Sequence, residues 1–316
     1  MAHRSLGDRL DGILVVDKSV GPTSHDVVAL VRRLAATRRV GHGGTLDPFA
    51  SGVLPVFLGK GTRVVEFHLA DRKAYRATVC FGASSTTDDL EGELTPAEGP
   101  APDRDAIEAA LSSFVGVIRQ RPPAYSAIKV GGRRAYAMAR AGESVELRER
   151  EVTIHDLTLV DLDLADPERP VAIVDVACSA GTYIRALARD LGERLGSAAY
   201  LGALRRTAAG PFSADEAVPL DQIREAAAGG PDGLVPLLRP IDSGLERFPA
   251  VMLTPAELAA VARGQFVRPA AGFDATVGSQ RYRLYAPSGV LAAIAVDAGS
   301  GRLAPDKVLV SAEVLA

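Results

Sequence analysis

Residues 40–63 of this 316-residue chain read VGHGGTLDPFASGVLPVFLGKGTR, with glycine at 41, 43, 44, 52, 59 and 61 and proline at 48 and 55. Glycine raises the entropy cost of regular structure and proline removes a backbone donor, so this stretch is expected to be largely loop. A glycine-rich loop between structured elements is where a backbone can approach a ligand closely. Within it Asp47 precedes Pro48, and proline confines the preceding residue to extended conformations, which fixes the direction of the carboxylate. Asp before Pro is also a common turn former, and His42 can be an ordinary hydrogen-bonded loop residue. These few residues alone favour that plainer reading.

The flanking sequence supplies regular elements. GILVVDK reads as an apolar strand, followed by a turn at Gly21 and Pro22. Ser24 is the expected N-cap of a helix whose stripe is Val27, Val28, Leu30, Val31 and Leu34, with Arg32, Arg33, Arg38 and Arg39 outside it. KAYRATVCFG, YSAIKV, EVTIHDLTLVDLDL and VAIVDVACSA read as strands of a mostly antiparallel sheet. Helices are expected over 105–114, 133–141 and 182–195, the last with Ile184, Leu187, Ala188, Leu191 and Leu195 on one side. The acidic, proline-bearing stretch 85–104 reads as an exposed loop. The class is therefore α+β.

From about residue 212 the texture changes, and RPIDSGLERFPAVMLTP reads as a junction between a domain over 1–246 and a second over 247–316. The second combines a helix in LTPAELAAVARG with short strands at ATVGS, YRLYAP, VLAAIAVD and KVLVS. Its 70 residues are near the lower limit for independent stability, so it is expected to dock on the first domain.

Composition excludes several classes. No apolar run approaches the roughly 20 residues that span a bilayer, and the start, MAHRSLGDRLDG, lacks the apolar middle of a signal peptide, so a cytoplasmic location is expected. Cys80 and Cys178 sit singly in strand-like runs and read as reduced core thiols, not metal ligands. Net charge is −3, but residues 1–80 carry 12 Lys or Arg against 7 acids and residues 117–150 carry 8 against 3, while 85–111 carry one Arg against 8 acids. A basic face on a mildly acidic protein suffices for phosphate binding, although solvated helix faces account equally well for these counts.

Two further segments carry candidate chemistry. In KAYRATV, Lys73, Tyr75 and Ala77 share one face and Arg76 the other. Tyr75 is placed either to stack on a nucleobase, worth about 1–3 kcal/mol, or to pack half-buried. In SAGTYIRALARDLGERLG, Gly181 and Thr182 open a helix with Tyr183 and Arg185 in its first turn. Arg185 beside Asp47 would hold that carboxylate ionised; the alternative makes it a surface partner of Asp190 or Glu193.

Taken together, GILVVDK, TSHDVV with RRVGHGGTLDPFASGVLPVFLGKGTR, KAYRATVCFG, RPPAYSAIKVGGRRAYAMAR, GTYIRALARDLGERLG and LRRTAAGPF resemble the TruB-type pseudouridine synthases, in that family's order over residues 12–212. The resemblance implies a pseudouridine synthase fold, a long antiparallel sheet flanked by helices, with a small PUA-like RNA-binding β domain at the C-terminal end. It places Asp47 as the catalytic aspartate, Tyr75 as the residue stacking on the target base and Arg185 as the partner of Asp47. It places His42 and Tyr183 as substrate contacts, Leu204 in the pocket, and Lys18 and Lys60 as structural or phosphate contacts. Ser19, where many relatives have proline, and the Gly43-Gly44 pair depart from the pattern and touch loop stiffness only.

The implied reaction converts a uridine in the T loop of tRNA, at position fifty-five, to pseudouridine after flipping it out. Isomerisation needs no net redox change or hydrolysis, in keeping with a sequence that has no GxxxxGK[ST] loop, dinucleotide fingerprint or metal-ligand spacing. Neither cofactor nor metal is expected, and the partner is the tRNA T arm, bound by a monomer. The rival readings are a guide-dependent relative acting on ribosomal RNA and a non-catalytic RNA-binding or RNA-folding protein; RNA folding can also coexist with catalysis.

Overall fold

In β1 (Gly12–Lys18), Ile13 and Val15 face one side and Leu14 and Val16 the other, and all four are buried. A strand apolar on both faces belongs in the middle of layered structure. The computed structural model describes residues 10–98, 101–126, 128–143, 145, 147–270 and 281–310. The expected strand at ATVGS lies outside them.

The helix α1 (Ser24–Leu34) buries Val27, Val28, Leu30 and Val31. Its N-cap is Thr23, not Ser24: the Thr23 hydroxyl accepts from Asp26 N at 3.1 Å while the Asp26 carboxylate accepts from Thr23 N at 2.9 Å. Ser24 is the first helical residue, and its hydroxyl is used elsewhere.

After β2 (Val40–His42), the stretch expected to be loop divides. Only 43–49 is irregular; β3 (Ala50–Leu58) is a buried strand in the sheet interior. Gly52, at φ +103°, lets β3 pass a neighbouring strand so closely that a Cβ there would collide with the Arg206 backbone. Pro55 is tolerated because its carbonyl and its missing N–H point to the same side, where only the carbonyl is used, accepting from Gly43 N at 2.9 Å.

The chain continues through α2 (Val65–Leu69), β4 (Lys73–Phe81) and a hairpin of β5 (Ala83–Ser85) and β6 (Leu94–Pro96), then α3 (Arg104–Ser113) and β7 (Gly116–Gln120). A small hairpin of β8 (Lys129–Val130) and β9 (Arg133–Arg134) leads into α4 (Ala135–Arg140). Among the described residues of the strand expected at YSAIKV only Lys129–Val130 forms, and backbone groups before it serve loop contacts: Ser126 O accepts from Tyr136 N at 3.0 Å. Two long strands follow, β10 (Arg150–Asp163) and β11 (Val171–Cys178), then α5 (Ile184–Arg194), β12 (Ala199–Ala209), β13 (Phe212–Ser213), β14 (Val218–Pro219), α6 (Leu220–Ala226) and β15 (Leu238–Arg239).

Among the described residues, eleven strands join one sheet, ordered β14-β1-β3-β12-β4-β11-β10-β7, with β2, β13 and β15 at its margins. Pairing is antiparallel except β1 with β14 and β3 with β12. The sheet is thus mixed and mostly antiparallel, with α1, α3 and α5 contributing to the core on one face.

The other face carries Ile13, Val15, Val53 and Phe57, joined by Leu291, Ile294 and Leu309 from the C-terminal part. That part is a small sheet of β16 (Ala250–Met252), β17 (Arg281–Tyr285), β18 (Leu291–Asp297) and β19 (Leu303–Val308), with α7 (Pro255–Ala262) against it. It docks on the larger sheet through this apolar contact, a Lys307–Glu66 ion pair at 2.9 Å and the Arg281 guanidinium over the Phe67 ring. No helix among the described residues is long and apolar enough to cross a membrane.

Candidate active site

The aspartate loop 43–49 is fastened from several directions. Ser24 Oγ accepts from Leu46 N at 2.8 Å and donates to Leu46 O at 3.0 Å. Gly21 N donates to Pro48 O, which also faces the Lys18 ammonium at 3.4 Å. From the opposite side Arg206, 1% exposed on β12, donates to Gly44 O at 3.2 Å, Thr45 O at 3.3 Å and Val53 O at 2.6 Å. A buried guanidinium serving three carbonyls leaves this loop little freedom.

The loop holds Asp47 at the floor of a cleft of about 730 Å³, also lined by Tyr75, Tyr125, Tyr183, Arg185 and Leu204. This is within the usual range of small-ligand sites, about 300–1,000 Å³. Asp47 Oδ2 lies 3.1 Å from Arg185 Nε, an ion pair whose angle falls short of a straight hydrogen bond. The other guanidinium nitrogens of Arg185 are committed: Nη1 to Asp89 Oδ2 and Thr87 O, both at 3.1 Å, and Nη2 to Tyr125 O at 2.9 Å.

Arg185 is therefore not a partner of Asp190 or Glu193, which lie 2.8 and 3.9 Å from Arg189. Nor is 85–104 simply an exposed loop, since it delivers Asp89, 2% exposed, into the site. The signal for it was present as adjacent acids at 88 and 89 and arginines four apart at 185 and 189, but their pairing crosses about a hundred residues.

Burial raises the pKa of Asp47, and the Asp89 carboxylate adds to the rise, against the lowering effect of Arg185 and Lys18. Arg185 acts in the direction expected of it, favouring the ionised carboxylate, but desolvation is the larger influence. Burial likewise pushes Lys18 down to about 8, Asp47 opposing and Arg206 adding to the fall.

The remaining residues take distinct places. Tyr75 sits on β4 with its phenol raised by burial and eased downward by Arg206. Its neighbour Arg76 is on the far face, bound to Asp175 by two 2.8 Å bonds. Leu204, 8% exposed, forms part of the cleft wall. Tyr183 is the N-cap residue of α5 and not within its first turn; Gln120 accepts from its N–H and donates to its carbonyl, and Arg150 lies over its ring at 4.8 Å.

His42 stands behind the cleft edge at 5.5 Å from His25, which does line the cleft. Its Nδ1 accepts from Gly44 N, which leaves the proton on Nε2, and burial lowers its pKa, with His25 and Arg206 adding to the fall. Lys18 is fully buried under the loop and bonds Ser19 O at 2.9 Å, a structural position without access to phosphate. Lys60 is away from the cleft, 3.7 Å from Asp11. Sequence reasoning missed Asp89, Arg206 and His25.

The chain matches two family models. One, described as TruB family pseudouridylate synthase (N terminal domain), covers residues 32–184; the other, described as tRNA pseudouridylate synthase B C-terminal domain, covers 185–246. The tRNA pseudouridine synthase B of Bradyrhizobium diazoefficiens is 45% identical over 306 residues, 95% of this chain and 87% of that protein. That of Thermobifida fusca is 46% identical over 290 residues, 90% and 94% respectively. Among solved structures, a chain of a Cbf5–Nop10–Gar1 complex superposes with a TM-score of 0.72 at 26% identity, covering 98% of this chain and 87% of that one. A chain of an H/ACA RNP bound to a substrate RNA containing 2′-deoxyuridine gives 0.71 at 25%, covering 96% and 86%.

Proposed function

Since the chain belongs to the TruB family of pseudouridylate synthases, we propose that it isomerises the T-loop uridine of tRNA at position fifty-five, with Asp47 as the reacting carboxylate. The observation that carries this reading is the braced Asp47 beside Tyr75, Leu204 and Arg185 on one cleft floor. In the isomerisation the N1–C1′ bond breaks, the uracil turns, C5 bonds to C1′ and gives up its proton, and N1, no longer bonded to the ribose, carries a proton in the product. Asp47 either attacks C1′ or takes the C2′ proton, and both routes require it ionised.

A uridine within a folded RNA loop is reached by flipping it out, at a cost of a few kcal/mol, which stacking on Tyr75 and phosphate contacts offset. Arg140 and Arg150 on the cleft wall suit those phosphates. Arg185 positions Asp47, Leu204 packs against the uracil, and Tyr75 is placed to assist proton removal from C5. Tyr183 contacts the RNA from its shelf under Arg150, whereas His42 and Lys18 act by shaping the loop. Lys60 contributes to the surrounding surface, and the C-terminal domain adds RNA-binding area. The protein acts as a monomer on the T arm.

The test is incubation of the purified protein, without cofactor, with an unmodified tRNA transcript carrying tritium at uridine C5. Tritium release with pseudouridine mapped at the T-loop site supports the reading; tight binding without release refutes it.

The pH dependence follows from Asp47. Its pKa in the folded protein is raised above 3.8, so activity is present above that raised value and is lost as pH falls through it, placing the acid limb of kcat/KM above 3.8. Asp89→Asn removes a negative neighbour that favours protonated Asp47. The limb is expected to move to lower pH, with a reduced maximal rate because Arg185 loses an anchor. A limb that stays in place or moves upward in the variant contradicts this.

A further inference from the structure

Asp88 is one of three non-glycine residues at positive φ among the described residues, at +60°. Consecutive side chains in extended backbone point apart, and the left-handed turn at Asp88 instead lets both Asp88 and Asp89 face α5. There they meet two arginines one turn apart. Arg185 takes Asp89 and the Tyr125 carbonyl. Arg189 repeats the arrangement outside the cleft, donating at 2.8 Å to Asp88 Oδ2 and at 2.8 Å to the Arg121 carbonyl.

Asp88, Arg189 and Arg121 do not themselves line the cleft, although Asp88 lies between Thr87 and Asp89, which do, and the clamp holds the root of the segment that forms one cleft wall. From Arg121 and Tyr125 that segment runs to Ser126, whose carbonyl receives Tyr136 N and so sets α4, with Tyr136 and Arg140 on the wall. Glu149 lies 3.7 Å from Arg121 and 3.4 Å from Arg119, drawing the far end of the segment to the same root. A wall fixed only by Arg185 would pivot about one point; two anchors, at 121 and 125, fix its direction.

We propose that Asp88 and Arg189 are a positioning pair that orients the wall carrying Tyr125, Tyr136 and Arg140 for RNA, in addition to the Asp47–Arg185 pair that serves the reaction. The proposal rests on the functional reading above. Asn tolerates the left-handed conformation, so Asp88→Asn removes the charge with little backbone strain. Asp88→Asn and Arg189→Gln are each expected to raise KM about tenfold, the scale of one charge-assisted hydrogen bond, with kcat within about twofold.

The double variant is expected to be no worse than either single one, because the two residues act as one unit. Arg189→Lys keeps the charge opposite Asp88 but cannot reach the Arg121 carbonyl at the same time, and its KM is expected to fall between wild type and Arg189→Gln. A merely structural role would lower the active fraction and leave KM unchanged, and that result overturns the proposal, as does a fall in kcat matching the rise in KM. Filter binding of a T-arm hairpin RNA to wild type and variants decides the pair's role even if no product forms. A tenfold loss of affinity sustains the proposal, and equal affinity overturns it.

Discussion

Asp47→Asn is expected to lower the rate of pseudouridine formation by about four to six orders of magnitude, the scale on which a reacting group that acts within a unit is missed. Asparagine fills the same space before Pro48, and the loop keeps every bond described to Ser24, Gly21, Lys18 and Arg206, since none involves the carboxylate. Affinity for the RNA is therefore expected to stay within about threefold, because an uncharged amide adds no repulsion and removes no phosphate contact. Single-turnover product formation and binding, measured on one preparation, check both halves. A variant that still turns over within tenfold of wild type removes Asp47 from the reaction.

Arg185→Met is expected to act on stability as well as rate. The arginine is 6% exposed and spans Asp47, Asp89 and the carbonyls of Thr87 and Tyr125, so methionine strands two carboxylates and two backbone acceptors in a desolvated place. Removing one side of a buried ion pair costs about 3–5 kcal/mol, which a urea titration reads as a lower midpoint at unchanged slope. The loss also has a pH signature. Burial already raises Asp47, and without the guanidinium nothing equivalent opposes that rise, so its folded-state pKa climbs further above its unfolded one. Such a group destabilises above its folded pKa and ceases to do so as pH falls through it, so the gap between variant and wild type should narrow in acid. A variant as stable as wild type at neutral pH would mean that Arg185 is not the centre of this network.

Periodicity made much of the fold legible. Val27, Val28, Leu30 and Val31 on α1, and the alternation of Lys73, Tyr75 and Ala77 against Arg76 on β4, are read directly from residue spacing and stand buried or exposed as the spacing requires. The strand β3 was hidden by Gly52 and Pro55, which normally weaken strands; here each meets a local demand, a close crossing at one and an unused donor position at the other. β12 was hidden by its own chemistry, because AYLGALRRTAA mixes small residues with two arginines, and nothing local says that Arg206 is buried to hold a loop whose carbonyls lie about 160 residues earlier.

The site divides in the same way. Asp47 stood out because the glycines and Pro48 around it constrain one carboxylate, while Asp89 lay among eight acids over 85–111, its pairing with Asp88 legible only beside arginines about a hundred residues later. Ser24 illustrates a boundary error with a function: the hydroxyl expected to cap α1 instead pins Leu46, and Thr23 caps the helix. Resemblance supplied the order of segments; which partners the carboxylate has depended on contacts that no local pattern encodes.

The position of β12 between β3 and β4 also orders events during synthesis. The aspartate loop leads into β3 and Tyr75 lies on β4, both within the first 81 residues, yet the strand that joins these two edges ends only at residue 209. A nascent chain shorter than that holds two unjoined sheet edges and an arginine not yet delivered beneath the loop. Pairings across so many residues carry a large loop-closure cost and form late, so the cleft around Asp47 is expected to be assembled in a closing step, after most of its own residues have left the ribosome.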